Sequence, residues 1–132
     1  VSSSRGQAQL LAAVVVVSML TIAAWHQAST SAGEMAAADD EAGKGHWPEA
    51  IAHARSAAEA VAPWSPWPDR GFRRLESIGH DAAARGDDST ARLAYAAMRT
   101  AALETRLPWS DRADWAVRAR EALSHLRTDG TR

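Results

Sequence analysis

Residues 10–25 (LLAAVVVVSMLTIAAW) run without a charge, and their only polar side chains are Ser18 and Thr21. No other stretch of the chain limits its fold so tightly. A helix needs about 20 residues at about 1.5 Å each to cross about 30 Å of hydrocarbon. The run is slightly short of that, and residues 8, 9 and 26–28 complete it, so a transmembrane helix is expected over residues 8–28. Lipid requires every backbone polar group to be satisfied internally, which a helix does. Trp25 and His26 then fall where amphipathic rings prefer the headgroup region.

The competing reading of the same run is a cleaved signal peptide, with Arg5 as its basic leader and residues 10–24 as its apolar core. Its small-x-small cleavage site would be poor, Ser29-Thr30-Ser31 being the best available, and the length of the run favours an anchor that is retained. Charge sets the direction. Arg5 precedes the run with no acid beside it, while Glu34, Asp39, Asp40 and Glu41 follow. The excess of positive charge on the cytoplasmic side puts residues 1–7 in the cytoplasm of a bacterial inner membrane and residues 29–132 in the periplasm.

About a hundred residues remain beyond the anchor, enough for one small domain. They contain no cysteine, so an exported domain of this size relies on packing or on a partner. A net charge of −1 gives no basic field for nucleic acid. The charge is uneven: residues 26–68 hold six acids and two bases, and residues 69–132 hold ten acids and twelve bases. Tryptophan stands out, with six against one Phe and one Tyr; it is favoured at membrane interfaces and at protein–protein hot spots.

The domain reads as all-α, about five short helices. Ser31-Ala-Gly-Glu34 has the form of a capping box and would open a first helix over residues 32–42, stopped by Gly43-Lys44-Gly45. Pro48 suits the first turn of a second helix, which buries Ala50, Ile51, Ala54, Ala57, Ala58 and Val61 at helical spacing and ends at Pro63. Residues 62–69 (APWSPWPD) read as a linker, because their prolines favour extended backbone. A third helix starts near Asp69 or Arg70 and presents Phe72, Leu75, Ile78, Gly79 and Ala82, with Gly86 just past its end. Asp88 is placed to cap a fourth helix presenting Ala91, Ala94, Tyr95, Met98, Ala101 and Ala102, and Pro108 breaks it. Ser110 would cap a fifth, with Ala113, Ala116, Ala119, Leu123 and Leu126 inward, before a frayed tail at residues 128–132.

The run Leu75, Ile78-Gly79, Ala82, Gly86, Ala91, Tyr95, Met98 resembles a tetratricopeptide repeat. The first helix pair resembles the family in its second half, through Gly45, Trp47, Ala50, Ala54, Ala57 and Pro63. Its first helix departs from the pattern, with Ala38 and Glu41 where large anchoring residues belong. The turn glycines Gly45 and Gly86 are 41 residues apart against the family's repeat of about 34, the Pro-Trp linker supplying the excess. The resemblance implies two degenerate repeats over residues 31–103 plus a capping helix, built of antiparallel hairpins. Two repeats are fewer than the three usually needed for stability, and an alanine-rich core contributes little burial at about 25 cal/mol per Å2, so docking onto another protein is expected to stabilise the domain.

For chemistry, His46, Glu49 and His53 have metal-ligand spacing on one helix, against the plainer reading of a solvated face. His26 beside Trp25 could touch a pigment or haem, against an ordinary interfacial residue; without a Cys-x-x-Cys-His motif, covalent haem is excluded. No Gly-x-Ser-x-Gly elbow or phosphate-cradling loop occurs, His80, Asp81 and His125 read as surface residues, and no catalytic activity is expected. Trp64, Trp67 and Trp109 sit in proline-containing loops, which lie at surfaces. With Arg70, Arg73 and Arg74 they form the expected contact patch for a partner or the lipid surface; capping the helix pairs as ordinary core is the alternative. The expected role is a non-catalytic scaffold subunit of a larger inner-membrane complex, in contact with lipid and with sister subunits. Two alternatives stay open: a pigment- or haem-contacting subunit of an electron-transfer complex, and a secreted metal- or peptide-binding module.

Overall fold

A computed structural model describes residues 2–60, 65–105 and 112–129. They form five helices: α1 (Ser2–Gly43), α2 (Trp47–Ala58), α3 (Trp67–Ala84), α4 (Asp88–Glu104) and α5 (Ala113–Asp129). There is no strand among the described residues, so the all-α expectation holds. Val61, Pro63, Trp64, Pro108, Trp109 and Ser110 lie outside them.

The segment expected as an anchor and the expected first helix of the domain are one helix of 42 residues, about 63 Å long at about 1.5 Å per residue. The expected start at Ser31 is therefore wrong. A capping serine needs a non-helical backbone before it, and neither proline nor a turn precedes Ser31 to supply one. The polar residues there are absorbed into the helix: the Ser29 and Thr30 hydroxyls donate to the His26 carbonyl at 2.8 and 2.9 Å, the usual accommodation of Ser and Thr inside helices. Ser31 itself is buried. Fusion with the apolar segment leaves five helices among the described residues, where an anchor plus about five was expected.

Two turns with the same construction fold the chain back on itself. Gly45 (φ 78°) follows α1 and Gly86 (φ 75°) follows α3. In the first, Gly45 N–H donates to Ala42 O and His46 N–H to Glu41 O; in the second, Gly86 N–H donates to Ala83 O and Asp87 N–H to Ala82 O. These are paired Schellman bonds, which need a left-handed residue and therefore favour glycine. The next residue caps the following helix: His46 (φ −82°, ψ 73°) for α2 and Asp87 (φ −88°, ψ 74°) for α4. Asp87, not the expected Asp88, is the cap; its carboxylate accepts from Thr90 N–H at 3.1 Å.

The helices α1–α2, α2–α3, α3–α4 and α4–α5 pack as successive neighbours. The core is the expected set of inward faces: Ala50, Ile51, Ala54, Ala57 and Ala58 of α2, Phe72, Leu75, Ile78 and Ala82 of α3, and Ala91, Ala94, Tyr95, Met98, Ala101 and Ala102 of α4 are buried. On α5, Ala119 and Leu126 are buried, whereas Ala113 is exposed. Close approach is built in at two glycines. A Cβ on Gly71 would stand 2.4 Å from Ala58 N and 2.7 Å from Ala54 O, and one on Gly79 2.7 Å from the Tyr95 ring. The linker expected through residue 69 is shorter than that, because α3 begins at Trp67 with Pro68 in its first turn, where a missing N–H is harmless.

Candidate functional site

Three surfaces have a chemical character of their own. The first is the amino-terminal half of α1. Leu10, Leu11, Val14, Val15, Val16, Val17, Met19, Leu20 and Ile22 are each at least half exposed, and Trp25 is 79% exposed. A helix apolar on every side that none of the described residues covers is out of place in water. By length and composition this helix can cross a membrane. Within it, Ser18 Oγ and Thr21 Oγ1 donate to the carbonyls of Val14 and Val17, each at 2.8 Å, so their hydroxyls do not oppose burial in lipid. His26 follows, exposed, on the same helix.

The second surface is the end of the bundle where α2 and α4 finish and α3 and α5 begin. Several contacts gather these ends. Arg112 Nη2 donates to Ala60 O at 3.0 Å, Trp115 stacks on Phe72 with ring centroids 5.4 Å apart, and Arg55 pairs with both Glu59 and, at 2.9 Å, Glu104. Its hydrogen bond to the Glu59 carboxylate raises the Arg55 pKa further. Burial lowers that of Arg112, whose Nη1 is buried without a partner among the described residues. Trp67 is half-buried here, with the Arg70 guanidinium 4.7 Å from its ring centroid, a cation–π contact. The expected Arg70, Arg73 and Arg74 cluster is divided: Arg73 pairs with Asp69 on its own helix at 2.8 Å, and Arg74 reaches Asp39 of α1 at 3.0 Å. Trp64 and Trp109, named with them, lie outside the described residues.

The chain was compared with protein-family models, curated proteins and solved structures, and nothing matched. The geometry alone carries the functional reading.

The third surface is a groove that sequence reasoning missed. Along the outer seam of α4 and α5, Ala102, Leu103, Ala113, Ala116 and Val117 line an apolar trough with Arg99 and Arg120 on its rim. It continues past Leu123 and Ser124 to Arg127. Leu103 and Val117 are 46% and 41% exposed, high for apolar residues on folded helices. Arg99, Arg120 and Arg127 make no ion pair among the described residues, unlike Arg55, Arg73, Arg74 and Arg118. The sequence signal was there: Leu103 and Val117 fall off the core stripes of their helices, and Arg120 and Arg127 are two turns apart.

The metal-spaced residues do not converge. His46 Nδ1 lies 2.8 Å from Glu41 Oε2, and His53 Nδ1 lies 2.7 Å from Glu34 Oε2, so each imidazole faces a different carboxylate of α1, while Glu49 is exposed. Hydrogen bonds from His46 and then Lys44 hold the Glu41 pKa below the usual carboxylate value. Among the described residues no three ligand-type side chains meet. On α3, Ser77 Oγ lies 3.5 Å from Asp81 Oδ2 and His80 Nδ1 3.9 Å from Asp81 Oδ1. A hydrolytic triad needs the imidazole between hydroxyl and carboxylate; here the carboxylate lies between.

Proposed function

We propose that this chain is a non-catalytic, single-pass adaptor subunit of a larger inner-membrane complex. Its amino terminus would lie in the cytoplasm and its helical domain in the periplasm. The observation that carries the reading is α1. Its first half is an uncovered apolar helix of spanning length, and its second half is structurally part of the domain's first hairpin. Arg5 before the span and the acids Glu34, Asp39, Asp40 and Glu41 after it support the orientation.

Two hairpins of tetratricopeptide type, α1–α2 and α3–α4, with α5 as a cap, are the form we propose for the domain. Support comes from the two Schellman turns, which recur with the same bonding and nearly the same cap dihedrals. The α4–α5 groove would seat the sister subunit. Its apolar floor offers burial, and its three arginines, without an ion pair among the described residues, select a partner segment carrying acids along its rim.

The double variant Arg99→Glu/Arg120→Glu tests this in the native membrane. The expected result is normal membrane retention with recovery of co-purifying subunits reduced at least tenfold. Undiminished recovery would rule the groove out as the docking site.

A further inference from the structure

The helix register fixes how far the domain stands from the bilayer. In the α1–α2 hairpin, Glu34 pairs with His53 at 2.7 Å, and the two helices meet at the turn over Gly45. Moving along α2 away from that turn means moving along α1 toward the apolar span, so Ala60 comes level with residues 27–28 of α1. Trp25, the last residue of the charge-free run, is only two or three residues further, about 4 Å along the axis at about 1.5 Å per residue. No break in the helix intervenes, because α1 is helical throughout.

Everything tied to Ala60 is carried to the same level. Arg112 is bonded to the Ala60 carbonyl. The start of α3 crosses α2 near Ala58, where Gly71 makes its close approach. The end of α4 is there through the Arg55–Glu104 pair. The opposite end of the bundle holds Trp47 under the Arg85 guanidinium, with ring centroid to guanidinium carbon 4.9 Å, and the Arg92 hydrogen bond to Leu126 O.

We propose that the end of the bundle carrying Ala60, Pro66, Trp67 and Arg112 rests against the lipid headgroups of the bilayer that α1 crosses. This rests on the anchored reading above. The residues suit that place: Trp67 under Arg70 presents an aromatic ring and a cation together, the pairing favoured at a membrane interface. Among the described residues charge at this end is balanced, with Arg55, Arg70, Arg73 and Arg112 set against Glu59, Asp69, Glu104 and Asp114. Contact therefore follows from the geometry of α1 and needs no anionic lipid. The α4–α5 groove then runs along the bundle's side, rising from the headgroups, where a neighbouring subunit anchored in the same bilayer reaches it.

The chain has no cysteine, so a single fluorophore can be placed on the full-length protein by one substitution. The exposed positions Val15, Pro66 and Ala84 report on the span, the near end and the far end; Pro66 and Ala84 are about 27 Å apart along α3 at about 1.5 Å per residue. Val15→Cys, Pro66→Cys and Ala84→Cys are labelled and reconstituted in phosphatidylcholine vesicles carrying nitroxide on the headgroup or on the acyl chain. The expected result is strong acyl-chain quenching at residue 15, and headgroup quenching at residue 66 at least threefold stronger than at residue 84. Quenching at residue 15 with equal, weak quenching at residues 66 and 84 would overturn this inference and leave the anchor standing. No quenching at residue 15 would overturn both.

Discussion

The hairpins α1–α2 and α3–α4 turn in the same way and are filled in opposite ways. Gly45 and Gly86 are 41 residues apart, and at that offset the inner faces can be laid side by side. Where the second hairpin has Phe72, Leu75, Ile78, Tyr95 and Met98, the first has Ser31, Glu34, Ala37, Ala54 and Ala57. Among the described residues the largest fully buried side chains, Phe72, Leu75, Ile78 and Met98, all belong to the second. In place of bulk, the first hairpin has polar ties between its arms: Glu34 to His53 and, at the turn, Glu41 to His46. The difference follows from where each first arm comes from. An isolated helix must offset a costly nucleus through tertiary packing, and α3 does so with large side chains. The packed part of α1 continues a helix that lipid would already enforce, so alanine-sized contacts hold it.

The largest expected effect of a substitution is therefore in the second hairpin. Phe72→Ala removes a ring that is 1% exposed and stacked on Trp115; a loss of about 3–5 kcal/mol is expected, read as a lowered midpoint in near-UV thermal melts in detergent, with membrane retention unchanged. Giving the first hairpin the second's bulk should also harm it: Ala57→Met, at a site 0% exposed, is expected to cost about 1–3 kcal/mol by overpacking. Gly71→Ala belongs to the same range, because its new methyl group meets Ala58 and Ala54 backbone and not a movable side chain.

The shared turn makes a sharper test of likeness. Gly45→Ala and Gly86→Ala each meet no atom within 4 Å, so only the left-handed backbone resists them, at about 1–2 kcal/mol. Equal losses in the two variants are expected from the same melts; a loss at one turn alone would mean that the turns are not equivalent. Gly33→Ala, on α1 with open space around its Cβ, should raise stability by about 0.5–1 kcal/mol through helix propensity.

The smallest effect separates the caps. Hydrogen bonds from Thr90, then Ser89, lower the Asp87 pKa from 3.8 to about 2. A depressed folded-state value means that the contribution is complete above 3.8 and is lost as pH falls through about 2. Asp87→Asn keeps a capping oxygen but does not titrate, so the parent should lose stability relative to this variant between those two values. A constant difference in melting temperature across that range would contradict the assignment.

Most of the bundle was legible because its signals are local and repeated. The inward stripes of α2, α3 and α4 follow helical spacing, and Gly86 announced the turn that it makes. The misreadings share a cause, which is that a local motif was judged without its flanks. Ser31 and Glu34 spell a cap only if the chain before them is not helical, and here it is. Pro66 and Pro68 read as linker, yet both are harmless at a helix start. Asp87 and Asp88 are equally good caps in sequence, and the Schellman bond from Asp87 N–H to Ala82 O decides between them. The α4–α5 groove was hidden because it depends on which arginines find carboxylates on other helices. Spacing within one helix says nothing about that.

The proposed adaptor requires α1 to be one helix that leaves lipid and enters the domain without a break. Amide hydrogen exchange along residues 10–43, with the full-length chain in lipid nanodiscs, tests this most directly. The expected result is slow exchange throughout, including residues 26–33 between the apolar span and the hairpin. Rapid exchange confined to residues 26–33 would show a hinge and contradict the account, and rapid exchange across residues 10–24 would remove the anchor itself.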